Sequence, residues 1–458
     1  MKNIFKNSRG KRVLFLGRVT NFTDLELQKF LEDEGMKYAN KYNNEGDIAL
    51  VVLSSMLTPR EEQISYDLYD MGIPDISLEK FEEYLTKNIK PNSLIMSLKL
   101  SNNQERLKRL LQNEAFDDKT YLKLFKLYDW NQEGLYDNDN NRDVTISFVK
   151  RFYKPDGFRD PAMIYAPTTV MNIAQETKEP EVLDAILTMP NHTIKVSKRE
   201  HKRAKNLREL VALNENISQE TIKRLLSFDN SDIDYFLASN SSLNKREQEH
   251  IYKKADLETK LMLAHNNNLE DSLFEKLLKN SQKEVIKTLL SFAPLNENRV
   301  KLILSQNLDN TTLSYLGYNP SISKYIKEFL NSSKEFDFKV ASNSSIDSKY
   351  LEKLYETYGD NISIEIAKNK NITKEMANRF YQTKNQEIIK VLASNPATPI
   401  EILDEMCELN DRELNKLLSS NPSVRLYYLQ QFQLDPTLLA ILAKNPTYGE
   451  NVLNNLGL

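Results

Sequence analysis

Through the C-terminal half of the chain the apolar positions come in short helical bursts, and each burst ends on the same four-residue phrase. An aliphatic residue is followed by a small one, a variable one and then asparagine, as in Leu392-Ala393-Ser394-Asn395. The asparagine position is occupied by Asn214, Asn240, Asn266, Asn319, Asn343, Asn369, Asn395, Asn421 and Asn445, with Ala293 in the remaining slot. Successive spacings are 26, 26, 27, 26, 24, 26, 26, 26 and 24 residues. Between two phrases the pattern reads as helix, turn, shorter helix, turn. After Asn395, for example, Ile402, Leu403 and Met406 trace one stripe at helical spacing, and Leu414, Leu417 and Leu418 trace a second beyond the polar break at Asn410 and Asp411. Each such unit can bury its apolar face only against its neighbours, so the pattern predicts a mainly α protein with an α-solenoid of about ten 24–27-residue helical repeats over 211–458.

Local signals place the helix starts. Thr398-Pro399-Ile400-Glu401 reads as a hydroxyl cap, proline at the first helical position and a glutamate completing a capping box. Asn244 with Glu247 repeats that arrangement, and Ser218, Asp347 and Thr373 offer the cap without the acid. The small residue two before the asparagine predicts close approach of successive helices. The asparagine itself reads as a joint: it tolerates a left-handed backbone, and its amide can satisfy helix-end groups or bridge to an adjacent unit. A row of ligands is the competing reading of the same column.

The repeats from residue 211 onward resemble the leucine-rich repeat variant family of bacterial proteins, whose units carry a Leu-Ala-x-Asn-Pro phrase like the one at 392–396. That resemblance implies a right-handed solenoid; HEAT-like helical repeats are the near neighbour. The Cys-ligated cluster of a founding member has no counterpart here, because this chain has one cysteine, Cys407.

The first 92 residues follow a different pattern. VLFLG at 13–17, DIALVVLSS at 47–55 and IPDIS at 73–77 read as buried strands. TDLELQKFLEDEG at 23–35, TPREEQISYDLYDMG at 58–72 and SLEKFEEYL at 77–85 read as capped amphipathic helices closed, in the first two cases, by Gly35 and Gly72. Strands alternating with helices demand a small α/β parallel sheet with helices on both faces. Gly17 after the first strand, Gly35 and the phrase MGIPDISLEKFEEYL resemble a BRCT domain. This implies a DNA-repair or genome-maintenance setting. The phosphate pocket of phosphopeptide-reading BRCT domains needs a hydroxyl and a lysine where this chain has Leu16 and Ile64, so phosphopeptide reading is not expected. Residues 93–210 form a helical neck with a polar, loop-like insert at 131–143 and degenerate repeats within 161–194.

Charge and candidate chemistry narrow the function. With 62 basic and 65 acidic residues the net charge is -3, so any attraction to nucleic acid is local. The one strongly basic run is 195–208, where Lys195, Lys198, Arg199, Lys202, Arg203, Lys205 and Arg208 face a single glutamate. On a helix these could contact phosphates, but the favoured reading is a solvated face whose stems cover apolar surface. Asp137, Asp139 and Asn141 alternate as in a calcium loop, but Arg142 and Phe148 stand where glycine and glutamate are required. No metal or cofactor is therefore expected. The four histidines fall in no paired-ligand spacing, no phosphate-binding or nucleophile-elbow glycine motif occurs, and Cys407 sits on an apolar stripe. The longest apolar run, IALVVL, is too short to span a bilayer, and with one cysteine a reducing cytoplasm is expected. Together these features predict a non-enzymatic protein-interaction scaffold holding a protein partner. DNA or RNA binding through 195–208 and the solenoid groove is the alternative.

Overall fold

The structure is a computed structural model that describes residues 8–43, 47–154, 163, 166, 168–193, 205–329 and 333–449. The chain is mainly helical, with one small parallel sheet near its start, and divides into two compact units, 1–233 and 234–458.

The first unit opens with β1 (Arg12–Leu16), α1 (Asp24–Asp33), β2 (Lys37–Ala39), β3 (Ile48–Leu53), α2 (Pro59–Asp70), β4 (Asp75–Ser77) and α3 (Leu78–Asn88). The four strands are all parallel in the order β2-β1-β3-β4, with Leu14 opposite Val51 and Val52 opposite Ile76. Alternation along β1 sends Leu14 and Leu16 to one face, where they meet Val51 and Leu68 of α2. Phe15 takes the other face, with Phe81 of α3 edge-on at 5.0 Å and Phe30 of α1 a further 6.2 Å from Phe81. Helices thus cover both faces of the sheet. Thr23 and Thr58 both form complete capping boxes, with Glu26 and Glu61, and Gly35 and Gly72 take positive φ just past the helices they close.

Beyond α3 the first unit is helical. Arg106, on the helix Gln104–Leu111, is buried against the sheet domain: its guanidinium donates to the Asn21 carbonyl (2.8 Å), to Ser97 Oγ (3.2 Å) and to the Glu26 carboxylate. The insert expected to be loop-like at 131–143 is partly helical. The helix Asp139–Phe152 starts inside it, capped by Asn138, because the buried Asn141 amide donates to the Trp130 and Gly134 carbonyls and holds the turn against that helix.

In the second unit the aliphatic residues of the repeated phrase, Leu237 through Leu442, are fully buried, and so are most of the small residues that follow them. The asparagines explain the period. Asn395 Nδ2 donates to the Ala367 carbonyl (2.7 Å) and the Asn369 carbonyl (2.9 Å), the equivalent places one phrase earlier, while its Oδ1 accepts the Ala397 N–H at 2.9 Å. Asn266, Asn343, Asn369, Asn421 and Asn445 make the same pair of bonds, and Asn319 makes a near copy with Leu290 and Ala293. In the first unit Asn214 reaches back to the carbonyls of Ala174 and Thr177, both at 3.0 Å. In the second unit each such bond ties a buried carbonyl at the end of one helix to a side chain 24–29 residues later, and Asn214 spans 37 and 40.

Two expectations about these joints need correction. Asn395 has φ -86° and ψ 117°, an extended conformation, so left-handed tolerance is not what selects asparagine there. The left-handed residues sit eleven positions earlier, at Asp229, Lys384 and Asn410, in the turn between the two helices of a unit. Thr398 does not cap. Pro399, expected as the first helical residue, is itself the N-cap of the helix Ile400–Glu408, which has no side-chain cap; the buried Thr398 hydroxyl donates to the Leu392 carbonyl (2.7 Å), and Glu401 pairs with Lys374 instead. The caps at Ser218, Asn244, Asp347 and Thr373 form as expected, with Asn244 and Glu247 completing the box.

Candidate functional site

The second helices of successive phrases (Leu257–Ala264, Lys283–Phe292, the 3₁₀ turn Ser314–Tyr318, Lys334–Ala341, Ser363–Ala367, Gln386–Ser394 and Arg412–Leu418) pack side by side in chain order. With the aliphatic and small positions turned inward, most residues one, four and five places before each asparagine are left along one outer row, while Phe236, Leu289 and Ser314 at such positions are buried.

The row begins with aromatic residues. The His265 ring stacks on Phe292, centroids 4.3 Å apart and planes at 27°, with Nδ1 2.9 Å from the Leu261 carbonyl, so that nitrogen carries the proton. Phe292 is 48% exposed and Tyr318 is 47% exposed, high values for large rings in a packed array. Tyr315 lies beside Tyr318 at 6.1 Å and is flanked by two ammonium groups, Lys339 Nζ at 4.0 Å and Lys287 Nζ at 5.3 Å from its ring centroid. Lys339 also donates to Ser314 Oγ, and partial burial lowers its pKa from the ordinary lysine value. Burial, followed by the nearby Glu365 carboxylate, raises the Tyr318 phenol.

Further along, the row becomes cationic. Lys368 pairs with Glu365 at 2.9 Å and borders a groove of about 550 Å³ together with Lys390, Lys416 and Glu413. Val391, Leu417 and Pro396 give the groove an apolar floor. Lys390 and Lys416 occupy equivalent positions, 26 residues apart, and neither has an ion-pair partner among the described residues. Asn395 borders the groove, but its amide is turned inward to the two carbonyls of the previous joint, so it has no donor left for a ligand there. The asparagine column is a set of joints.

No family model matches this chain, and no curated protein or solved structure is similar enough to it to count as a match.

The residues singled out from sequence have other surroundings. Lys195, Lys198, Arg199, Lys202 and Arg203 lie outside the described residues. Lys205 and Asn206 precede a helix rather than continuing one: Asn206 caps Leu207–Leu213, and Lys205 N–H donates to Glu209. Arg208 lays its guanidinium over the Phe228 ring at 3.8 Å, and partial burial pulls its pKa below the usual arginine value, so it packs instead of reaching outward. In the sheet domain the Gly17 N–H, with a positive φ of 81°, donates to Glu61 Oε1 at 3.1 Å. A carboxylate of the chain itself therefore occupies that donor, and that carboxyl is pulled down by the Thr58 backbone and hydroxyl and then by Gly17.

Of the suspected calcium ligands, Asp137 accepts the Gly134 N–H, Asp139 pairs with Arg142 and Asn141 accepts the Tyr128 hydroxyl, three separate engagements. Cys407 is buried, and its thiol is pushed up to about 12 by that burial and then by Asp404 and Glu408. Trp130 is core, edge-on to Phe125 and Tyr128. Among the described residues no helix is long and apolar enough to cross a membrane.

The row carries no contiguous motif, because its equivalent positions, such as His265, Phe292 and Tyr318 or Lys390 and Lys416, recur only every 26 or 27 residues. Reading the columns one, four and five places before each asparagine shows His265, Phe292 and Tyr318 in succession.

Proposed function

We infer that the chain is a non-enzymatic protein-interaction scaffold whose second half is an α-solenoid of about ten helical repeats, right-handed as in the leucine-rich repeat variants it resembles. The repeated asparagine-to-carbonyl bonds support the solenoid, since the same tie recurs from joint to joint at the sequence period. The bonds of Asn214 to residues 174 and 177 extend that logic to a degenerate unit ahead of the regular ones. The parallel sheet with its BRCT-like order supports a genome-maintenance setting for the partner.

One observation carries the binding role: Phe292 and Tyr318 lie about half exposed, at equivalent positions of adjacent units, within a row that also holds Lys287 and Lys339. Large exposed rings are a typical component of the centre of an interface, and charged side chains such as these lysines suit its polar rim. The test is affinity capture with the full chain, comparing wild type with Phe292→Ala plus Tyr318→Ala. Proteins held by the wild type and lost by the variant are the expected result. An identical set from both, or an empty set from the wild type, overturns this assignment.

A further inference from the structure

We propose that the row binds an extended acidic polypeptide segment, with its carboxylates in the groove between Lys390 and Lys416 and an apolar or aromatic side chain against Phe292 and Tyr318. The proposal rests on the row being a partner-binding surface, and it adds the chemistry of the partner.

Charge complementarity points to an anion. Lys390 and Lys416 project into one groove without acidic partners among the described residues, and Lys368 stands at its edge. A carboxylate between two ammonium groups is held more firmly than at one exposed cation, because both attractions act over a partly apolar floor made by Val391, Leu417 and Pro396.

A polypeptide suits the row better than a polynucleotide for two reasons. Glu413 lines the groove and Glu365 sits on Lys368, so anions interrupt the cations. A phosphodiester strand carries a charge at every nucleotide and must place some against those glutamates, whereas a polypeptide can set a neutral or basic residue opposite each. Base stacking also lacks a platform. Among the described residues no aromatic side chain lines the lysine groove, and among the rings of the row a face is already taken, with His265 stacked on Phe292 and Lys339 over Tyr315. What stays open there is ring edge and outer face, which fit a single apolar anchor.

The experiment pans a displayed library of random peptides against the full chain. The peptides are about 20 residues long, so that at about 3.3 Å per residue one can run along several units. A fluorescein-labelled winner is then measured by anisotropy, beside a labelled single-stranded oligo-dT. The expected winners carry Asp or Glu about 7–9 residues or more from a large apolar residue, the distance from Tyr318 to the lysine groove across three helix spacings of about 8–10 Å. Their affinity falls about tenfold or more in Lys390→Glu plus Lys416→Glu, less in the Gln versions, and falls separately in Phe292→Ala plus Tyr318→Ala. All four positions are exposed, and circular dichroism checks that each variant is folded. Winners without acidic residues, or indifferent to the lysine reversals, overturn the acidic-peptide assignment; if they still need Phe292 and Tyr318, the binding row itself stands. Lysine-dependent binding of oligo-dT with no peptide enriched overturns it in favour of nucleic acid. No binding of either probe removes both this proposal and the role of the row.

Discussion

Replacing Asn395 by alanine tests whether the asparagine column holds the repeats together. The side chain makes three hydrogen bonds, two from Nδ2 to the carbonyls of Ala367 and Asn369 and one from the Ala397 N–H to Oδ1, and the residue is only 5% exposed. Each such bond contributes about 1 kcal/mol net, and a buried carbonyl left without its donor costs about 1–3 kcal/mol. The Asn369 carbonyl still accepts from Ile372, at a long 3.4 Å, so the larger penalty falls on Ala367. The expected loss is therefore about 3–5 kcal/mol. Asn395→Asp should be worse than alanine. It keeps an acceptor for Ala397 but turns a second oxygen towards two carbonyl oxygens in a buried joint.

The assay is urea unfolding followed by circular dichroism, with hydrogen exchange read peptide by peptide. Protection should fall first in 363–372 and 386–408, the segments that the three bonds connect, and stay unchanged in the sheet domain. A loss below about 1 kcal/mol, an aspartate variant at least as stable as alanine, or a uniform rise in exchange would refute the reasoning.

Three other outcomes follow from the same geometry. Arg299 spans the joint whose asparagine slot holds Ala293, donating to Asp271 (2.6 Å), the Pro294 carbonyl (2.6 Å) and the Leu269 carbonyl, so Arg299→Ala should cost about 3 kcal/mol in urea unfolding and Arg299→Lys should recover less than half of it, since one ammonium cannot reproduce the fork. At Gly317 an added Cβ would lie 2.7 Å from Lys339 Cβ and 2.9 Å from both the Phe336 carbonyl and Val340 nitrogen, so Gly317→Ala should destabilise by about 1–3 kcal/mol although alanine fills the same slot in most other units; an unchanged unfolding midpoint would contradict the close contact. Glu82 is raised above the ordinary carboxyl value by burial, with its Asn21 hydrogen bond opposing, so its folded form favours the proton and stability is lost as pH rises from the unfolded pKa through the folded one. Glu82→Gln should accordingly gain stability at pH 7 and little near pH 4, and an equal effect at both would show that this carboxyl does not set the difference.

Much of the architecture is legible in the sequence because its causes are local. Thr23-x-x-Glu26 and Thr58-Pro59-x-Glu61 state their helix starts outright, and the alternation in VLFL needs only a sheet with two covered faces. Thr398 carries an equally good local signal and misleads, since its hydroxyl is turned inward, where the Leu392 carbonyl is the available acceptor. Arg208 reads as a surface cation because charge is visible in a sequence and the Phe228 ring beneath it, twenty residues away, is not. The binding row is invisible there for a related reason: its equivalent members, such as Phe292 and Tyr318 or Lys390 and Lys416, lie 26 residues apart along the chain.

The sequence by itself determined the period, most of the helices and three of the four strands, and most of the residues that are buried, because each follows from the spacing of apolar side chains and caps within one or two turns; the short edge strand Lys37–Ala39 carries no such pattern. Only the tertiary structure decided what the asparagine amides bind and which exposed side chains share a surface. Carbonyls 24–29 residues away become partners when one unit is laid against the next, and His265, Phe292, Tyr318, Lys390 and Lys416 become one row for the same reason. Lateral packing brings together positions whose separation along the chain leaves no local trace.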